Sequence, residues 1–225
     1  MEITRTKSVS GAYSEQSALR KIFILTILTA LFSFAGWICE TVMFLIVRGE
    51  FCDRGLLTLP FCPLYGLGML GVYAVLKTPQ SGLWEKICSR PQTKTGRFLA
   101  TVLCLIVYAT LAALLASAVE YITGLFFDRK FGVRLWSYRR YDDTINGYVS
   151  LRYSLLWGIL AVSAMGLVWH PMQNVLARAR TSVLAILAIA LFVIIAGDFA
   201  FNMIYLHVRG KRFGSLGEML FRKRA

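Results

Sequence analysis

Five apolar stretches, each with at most one charge, set the plan of the chain. Residues 22–47 carry only Glu40, residues 56–76 carry no charge, and residues 98–127 carry only Glu120. Residues 148–169 hold Arg152 near their start, and residues 181–206 hold Asp198, with Asn202 one turn later. An α-helix rises 1.5 Å per residue, so the first stretch reaches roughly 39 Å, enough to cross a hydrocarbon core of roughly 30 Å with some tilt. The pattern predicts an all-α integral membrane protein of about five transmembrane segments.

The second stretch is not a simple helix. A residue before proline avoids the α region, so Leu59 and Cys62, ahead of Pro60 and Pro63, are expected to be extended. Pro63 suits a first helical position. From there to Leu76 the helix covers roughly 21 Å, short for a span. The segment is therefore Pro-broken within the bundle or re-entrant, and irregular backbone at that depth must be shielded from lipid.

The chain reads as a single membrane domain, 1–225. A polar tail, 1–18, precedes a first helix pair, 22–76, and a basic loop, 77–97. A second helix pair, 98–170, contains an interfacial cap at 128–147. A last helix, 181–206, and a basic tail, 207–225, follow. The first sixteen residues lack the apolar core and cleavage site of a signal peptide and read as a loose or interfacial tail. The cap mixes Trp136, Tyr138 and Tyr141 with charges, as expected at a membrane interface. His170 and Pro171 are expected to end the fourth stretch.

An ungapped alignment of residues 54–68 with 146–160 pairs Gly55, Leu59, Leu64 and Gly66 with Gly147, Leu151, Leu156 and Gly158. It also sets Thr58, Phe61 and Tyr65 against Ser150, Tyr153 and Trp157. Upstream, Glu40 and Glu120 each lie eight residues before the next charged residue, Arg48 or Asp128. Ala196-Gly197 and Val208-Arg209-Gly210 repeat the separation of Ala35-Gly36 and Val47-Arg48-Gly49. The expectation is a duplicated helix pair plus one helix, in parallel repeat.

Composition agrees with this plan: 57% of residues are apolar and 16% charged, against about a quarter charged in soluble domains. The net charge of +13 is gathered in short clusters beside apolar runs, which favours anionic lipid over nucleic acid as partner. Basic residues divide almost evenly between the two sides, so the positive-inside rule barely orients the chain. Four basic residues at the N-terminal end, Arg5, Lys7, Arg20 and Lys21, oppose translocation and favour an inside N-terminus. Of the five cysteines, Cys52 and Cys62 could pair at an oxidising face, though free thiols are the simpler expectation. His170 and His207 have no partner at ligand spacing, so no metal and no cofactor is expected.

An ionised carboxylate at mid-bilayer costs roughly 2.5–3.5 kcal/mol on insertion scales, so acids there usually serve a function. Glu40, Glu120 and Asp198, with Asn202 and Arg152, form the candidate substrate or ion site. They are expected to face one another, Arg54, Arg152 or a water-filled cavity; protonated acids bonding between helices would be the structural alternative. Asp53, Arg54, Gly55, Pro60, Pro63, Tyr65 and Gly66 make a turn and broken-helix motif, either an unwound substrate site or close packing through small residues. Trp136, Tyr138, Arg139 and Arg140 of the cap form an aromatic belt or a contact for a lipid head group or anionic solute. No nucleophile–base pair or catalytic metal set is present, so no enzyme is expected. No GxxxxGK[ST] motif is present either, so any ATPase would be a separate subunit.

These motifs resemble a bacterial family of small membrane proteins labelled "putative ABC-transporter permeases", the CmpB-like or "type IV" group. Gly36, Trp37 and Glu40 match its G-W-x-x-E element. Arg54, Gly55, Pro60, Pro63, Tyr65 and Gly66 match N-R-G-x-x-x-G-P-x-x-P-x-Y-G, with Asp53 and Leu59 as departures. Trp136, Tyr138, Asn146-Gly147, Trp157 and Gly158 match its later W-x-Y, N-x-x-G and W-G elements, the asparagine at a shorter spacing. The resemblance implies a permease-like transport component of the bacterial cell membrane, with a separate ATPase or other membrane subunit as partner and a homo-oligomer as an option. The alternative is a non-transporting scaffold or regulatory subunit that binds partner helices.

Overall fold

The computed structural model describes the backbone of residues 2–49, 51, 55–91 and 93–214, with side chains from residue 17 onward except that of Arg48. Asp53, Arg54 and Cys52 lie outside the described residues, and so do the expectations placed on them.

Among the described residues, seven α-helices follow in order: α1 (Glu2–Arg48), α2 (Pro63–Leu76), α3 (Leu83–Ser89), α4 (Lys94–Phe131), α5 (Leu151–Ala164), α6 (His170–Leu176) and α7 (Thr181–Arg209). Four helical stretches are long and apolar enough to cross a membrane: 17–47 within α1, α4, the continuous run 151–176, and α7. With the shorter apolar α2 they make a nearly all-α bundle of five segments. The chain is a multi-pass membrane protein. Large apolar side chains such as Ile186, Phe192 and Ile204 on α7 and Leu99, Leu103 and Ile106 on α4 remain exposed at the periphery, where lipid replaces water.

The bundle has two distinguishable ends. At one, the Arg20 guanidinium of α1 donates to the Ala177 and Ala179 carbonyls, each at 2.7 Å, just ahead of α7. At the other, the Arg212 guanidinium, past the end of α7, donates to the Gly55 carbonyl at 2.5 Å. Gly55 therefore starts the second segment at the far end. The segment finishes at the near end, where the Tyr108 hydroxyl donates to the Lys77 carbonyl (2.7 Å) and Gln173 donates to the Tyr73 hydroxyl (2.9 Å). Non-helical residues before Pro63 and the 14-residue helix after it together run from one end of the bundle to the other. Cys62 is extended (φ −116°, ψ 90°), and its N–H reaches the Ser33 carbonyl at 2.9 Å, so the freed backbone bonds inside protein.

α2 packs against α1, and α5 against α4. α7 lies along the other side of α1, and α2 joins the pairs through α4. The core gathers at the near end: Ile24, Ile27 and Leu28 of α1, Val72, Tyr108, Ala112, Ala161, Leu184, and Trp169, whose ring contacts Phe32 and Tyr73.

Three elements differ from the sequence reading. Pro171 does not end the fourth segment. A π-helical turn, Met165–Trp169, precedes it, with the His170 N–H bonded to the Met165 carbonyl, and the helix continues to Leu176. The wider turn shifts the register just where proline cannot donate. The basic loop contains α3, and Thr93 caps α4 by accepting from the Gly96 N–H (3.0 Å), so α4 begins at Lys94, four residues before the apolar run. The polar N-terminal residues from Glu2 onward extend α1 instead of forming a separate tail.

The cap is a folded unit. After Gly132 (φ +66°) ends α4, the chain returns through a short hairpin, Thr144–Ile145 with Val149–Ser150. Asn146 (φ 53°) and Gly147 (φ 73°) take the left-handed conformations of a type I′ turn, closed by the Tyr148 N–H on the Ile145 carbonyl at 3.0 Å. The Trp136 indole N–H donates to the Tyr148 carbonyl at 2.9 Å, and the Tyr138 N–H to the Gly147 carbonyl at 2.9 Å.

Candidate functional site

Small residues bring each half of the site together. Gly66 lies so close to the Thr29 carbonyl and the Ser33 hydroxyl that a Cβ would not fit. Gly158 bears the same relation to α4: a Cβ would come 2.5 Å from the Ala109 carbonyl oxygen and 3.0 Å from the Ala113 Cβ. Thr29 and Ser33 stand eleven and seven positions before Glu40. Ala109 and Ala113 stand eleven and seven positions before Glu120. The two helix pairs thus close at matching heights, and each places an aromatic residue, Tyr65 or Trp157, next to its glycine and beside its acid.

In the first pair the Tyr65 hydroxyl donates to Glu40 Oε1 at 2.7 Å. Gly36 leaves the space that the Tyr65 ring fills. In the second pair the Trp157 indole lies beside the Glu120 carboxyl group. The Tyr138 hydroxyl of the cap donates to Glu120 Oε1 at 2.8 Å. Glu120 is buried, and its Oε2 has no hydrogen-bond partner among the described residues. The Tyr65 and Trp157 rings meet edge to face at 5.5 Å, and the Glu40 carboxylate lies near enough to act electrostatically on both Glu120 and Tyr138. Tyr138 also stacks on Tyr153 at 4.7 Å. Burial, followed by the charge of Glu120, pushes the Tyr138 hydroxyl well above its ordinary range, so it stays a donor. Glu40 and Glu120 therefore belong to one cluster of side chains with Tyr65, Trp157 and the cap's Tyr138, on the cap side of the apolar core.

The remaining candidates go elsewhere. Asp198 Oδ2 accepts the Leu59 N–H at 2.8 Å, and Asn202 donates to Asp198 Oδ1 (2.9 Å) and to the Thr58 hydroxyl (3.0 Å). This set fastens the extended segment to α7. Pro60 and Pro63 fall within or just after that segment and set where α2 begins. Arg152 does not face the acids. It is exposed, pairs with Asp143 at 3.1 Å and covers the Tyr141 ring at 4.6 Å. Asp143 also accepts the Arg152 N–H (2.9 Å) and the Ser150 hydroxyl (3.0 Å) at the start of α5. The Arg152 backbone N–H, with the Arg152 side chain and Ser150, holds the Asp143 carboxyl down at about 2. Trp136 packs over Gly124, Arg139 lines a cleft beside the cap, and Arg140 lies over Tyr141.

Trp157 and Tyr153 pack into this cluster yet lie outside the candidate set. The signal for Trp157 was its alignment with Tyr65. Tyr153 had none, because its partner Tyr138 arrives from the cap.

A family model described as "Putative ABC-transporter type IV" matches residues 27–203, a region that takes in both acids, the broken segment, the cap and most of α7. The chain belongs to this family. Neither the curated proteins nor the solved structures give a match.

Proposed function

We propose that this chain is the permease-like component of a bacterial cell-membrane transport system, and that the Glu40–Glu120 cluster holds a cation, a proton or a cationic solute in transit. One observation carries the reading. Two carboxyl groups from different spans, one of them buried, lie in a single cluster of aromatic donors. A carboxyl group buried at membrane depth is costly, and a bound cation or proton relieves that cost. Tyr65 and Tyr138 hold one oxygen of each acid in position. The apolar core lies on the near side of the cluster, so entry is from the cap end, and passage requires the two helix pairs to part below the acids. Energy would come from a separate ATPase, since this chain supplies binding and passage and no chemistry of its own.

The scaffold reading is less well supported. Acids that bind partner helices would face outward, whereas these two face aromatic donors of their own chain.

The test is flux. Protein in liposomes loaded with a pH-sensitive dye is challenged with proton, Na⁺ and K⁺ gradients, alone and with any co-purifying ATPase. Glu40→Gln and Glu120→Gln are expected to fold and to lose most of the flux. Wild-type flux in both variants would remove the assignment.

A further inference from the structure

Beside the cap, away from the acid cluster, a cleft of about 580 Å³ opens between the last turns of α4 and the hairpin. Three arginines line it, Arg129, Arg134 and Arg139, with Tyr121 and Asn146, and none of the described lining residues is a carboxylate. Arg134 is the fixed member. It pairs with Asp128 at 2.6 Å, covers the Tyr148 ring at 4.8 Å, and reaches the Tyr148 hydroxyl at 3.3 Å. Asp128 offsets one positive charge of the three. Arg134 Nη1 is buried and has no hydrogen-bond partner among the described residues.

Phosphate oxygens match the guanidinium fork. Gly147 is needed for the cleft's shape. A Cβ there would come 2.5 Å from the Arg139 Cγ, and φ of +73° disfavours any side chain. Below the arginines, Leu125 lines the cleft, and exposed Ile122 and Phe126 continue an apolar surface along α4 toward the membrane interior. Charge above and oil below is the profile of a phospholipid.

We propose that this cleft binds a phosphate group, that of an anionic phospholipid whose acyl chains lie along Ile122 and Phe126. The bound phosphate is held by the guanidinium groups of Arg129, Arg134 and Arg139 that line the cleft. The site is independent of the transport reading.

The full-length protein is placed in nanodiscs of phosphatidylcholine, and thermal unfolding is followed as phosphatidylglycerol replaces the neutral lipid. Inorganic phosphate is titrated separately into the neutral discs. Arg129 and Arg139 are substituted because Arg134 also holds Asp128. Phosphatidylglycerol is expected to raise the melting temperature, with a midpoint about thirtyfold weaker in the Arg129→Gln/Arg139→Gln protein, from two surface charges near the lipid. Arg178→Gln/Arg180→Gln, which removes equal charge at the opposite end, is expected to leave the midpoint unchanged. Stabilisation by inorganic phosphate alone keeps the phosphate site and assigns it to a soluble anion. No stabilisation by either, or equal loss in both double variants, overturns the proposal in favour of diffuse charge attraction.

Discussion

Gly66 and Gly158 make the same contact in the two helix pairs, each pressed against a helix carbonyl eleven residues before an acid. The backbones can approach this closely only without a side chain. Gly66→Ala and Gly158→Ala are each expected to cost about 1–3 kcal/mol, because a rigid carbonyl lies in the way. Gly68, with nothing near its Cβ direction, is expected to accept alanine without loss. Thermal unfolding in detergent compares the three.

Removing one hydroxyl beside the acids tests stability and function together. Tyr65→Phe and Tyr138→Phe each leave a carboxyl oxygen without its hydroxyl donor, at a cost of about 1–3 kcal/mol. Melting temperatures are therefore expected to fall modestly. A flux loss of tenfold or more, measured in the liposome assay at a temperature where both variants remain folded, would go beyond that change in folding.

The clamp on the extended segment is expected to matter more for stability. Asn202→Ala leaves Asp198 Oδ1 and the Thr58 hydroxyl each without the Asn202 amide donor, at a cost of about 1–3 kcal/mol. Amide exchange should rise first at Leu59, whose N–H is held by Asp198. Unchanged protection there would show that Asn202 is not needed to hold Asp198 against the segment.

Asp143 gives a pH dependence with a definite sign. Its folded carboxyl is lowered to about 2, so its contribution is fully present above the unfolded value of about 4 and is lost as pH falls through about 2. In Asp143→Asn that dependence should vanish. Melting temperatures taken between pH 5 and 2 are expected to converge for the two proteins as acid is added.

The sequence made the segments legible wherever one physical rule dominated. Runs with a single charge located the long helices, and Pro60 and Pro63 located the extended piece and the start of α2. They also explain how the two pairs differ. Residues 59–62 are not helical, whereas their aligned counterparts 151–154, free of proline, already are. Pro171 misled because a π turn upstream compensated for it, and nothing in the apolar pattern marks such a turn. The acids were visible as a set, but their partition was not. Asp198 and Arg152 found local partners that depend on loop paths, while Glu40 and Glu120 came together through the packing of Gly66 and Gly158. Asn146-Gly147 was visible as a motif, yet its hairpin turn emerged only with the backbone.

The fastening of Thr58 and Leu59 to α7 has a mechanical corollary. Asp198 and Asn202 couple that segment to α7, and Arg20 couples α1 to the corner between α6 and α7, so a pull on any one of these elements is passed to the others. In the transport reading proposed above, the two helix pairs would part across the edge-to-face seam between Tyr65 and Trp157.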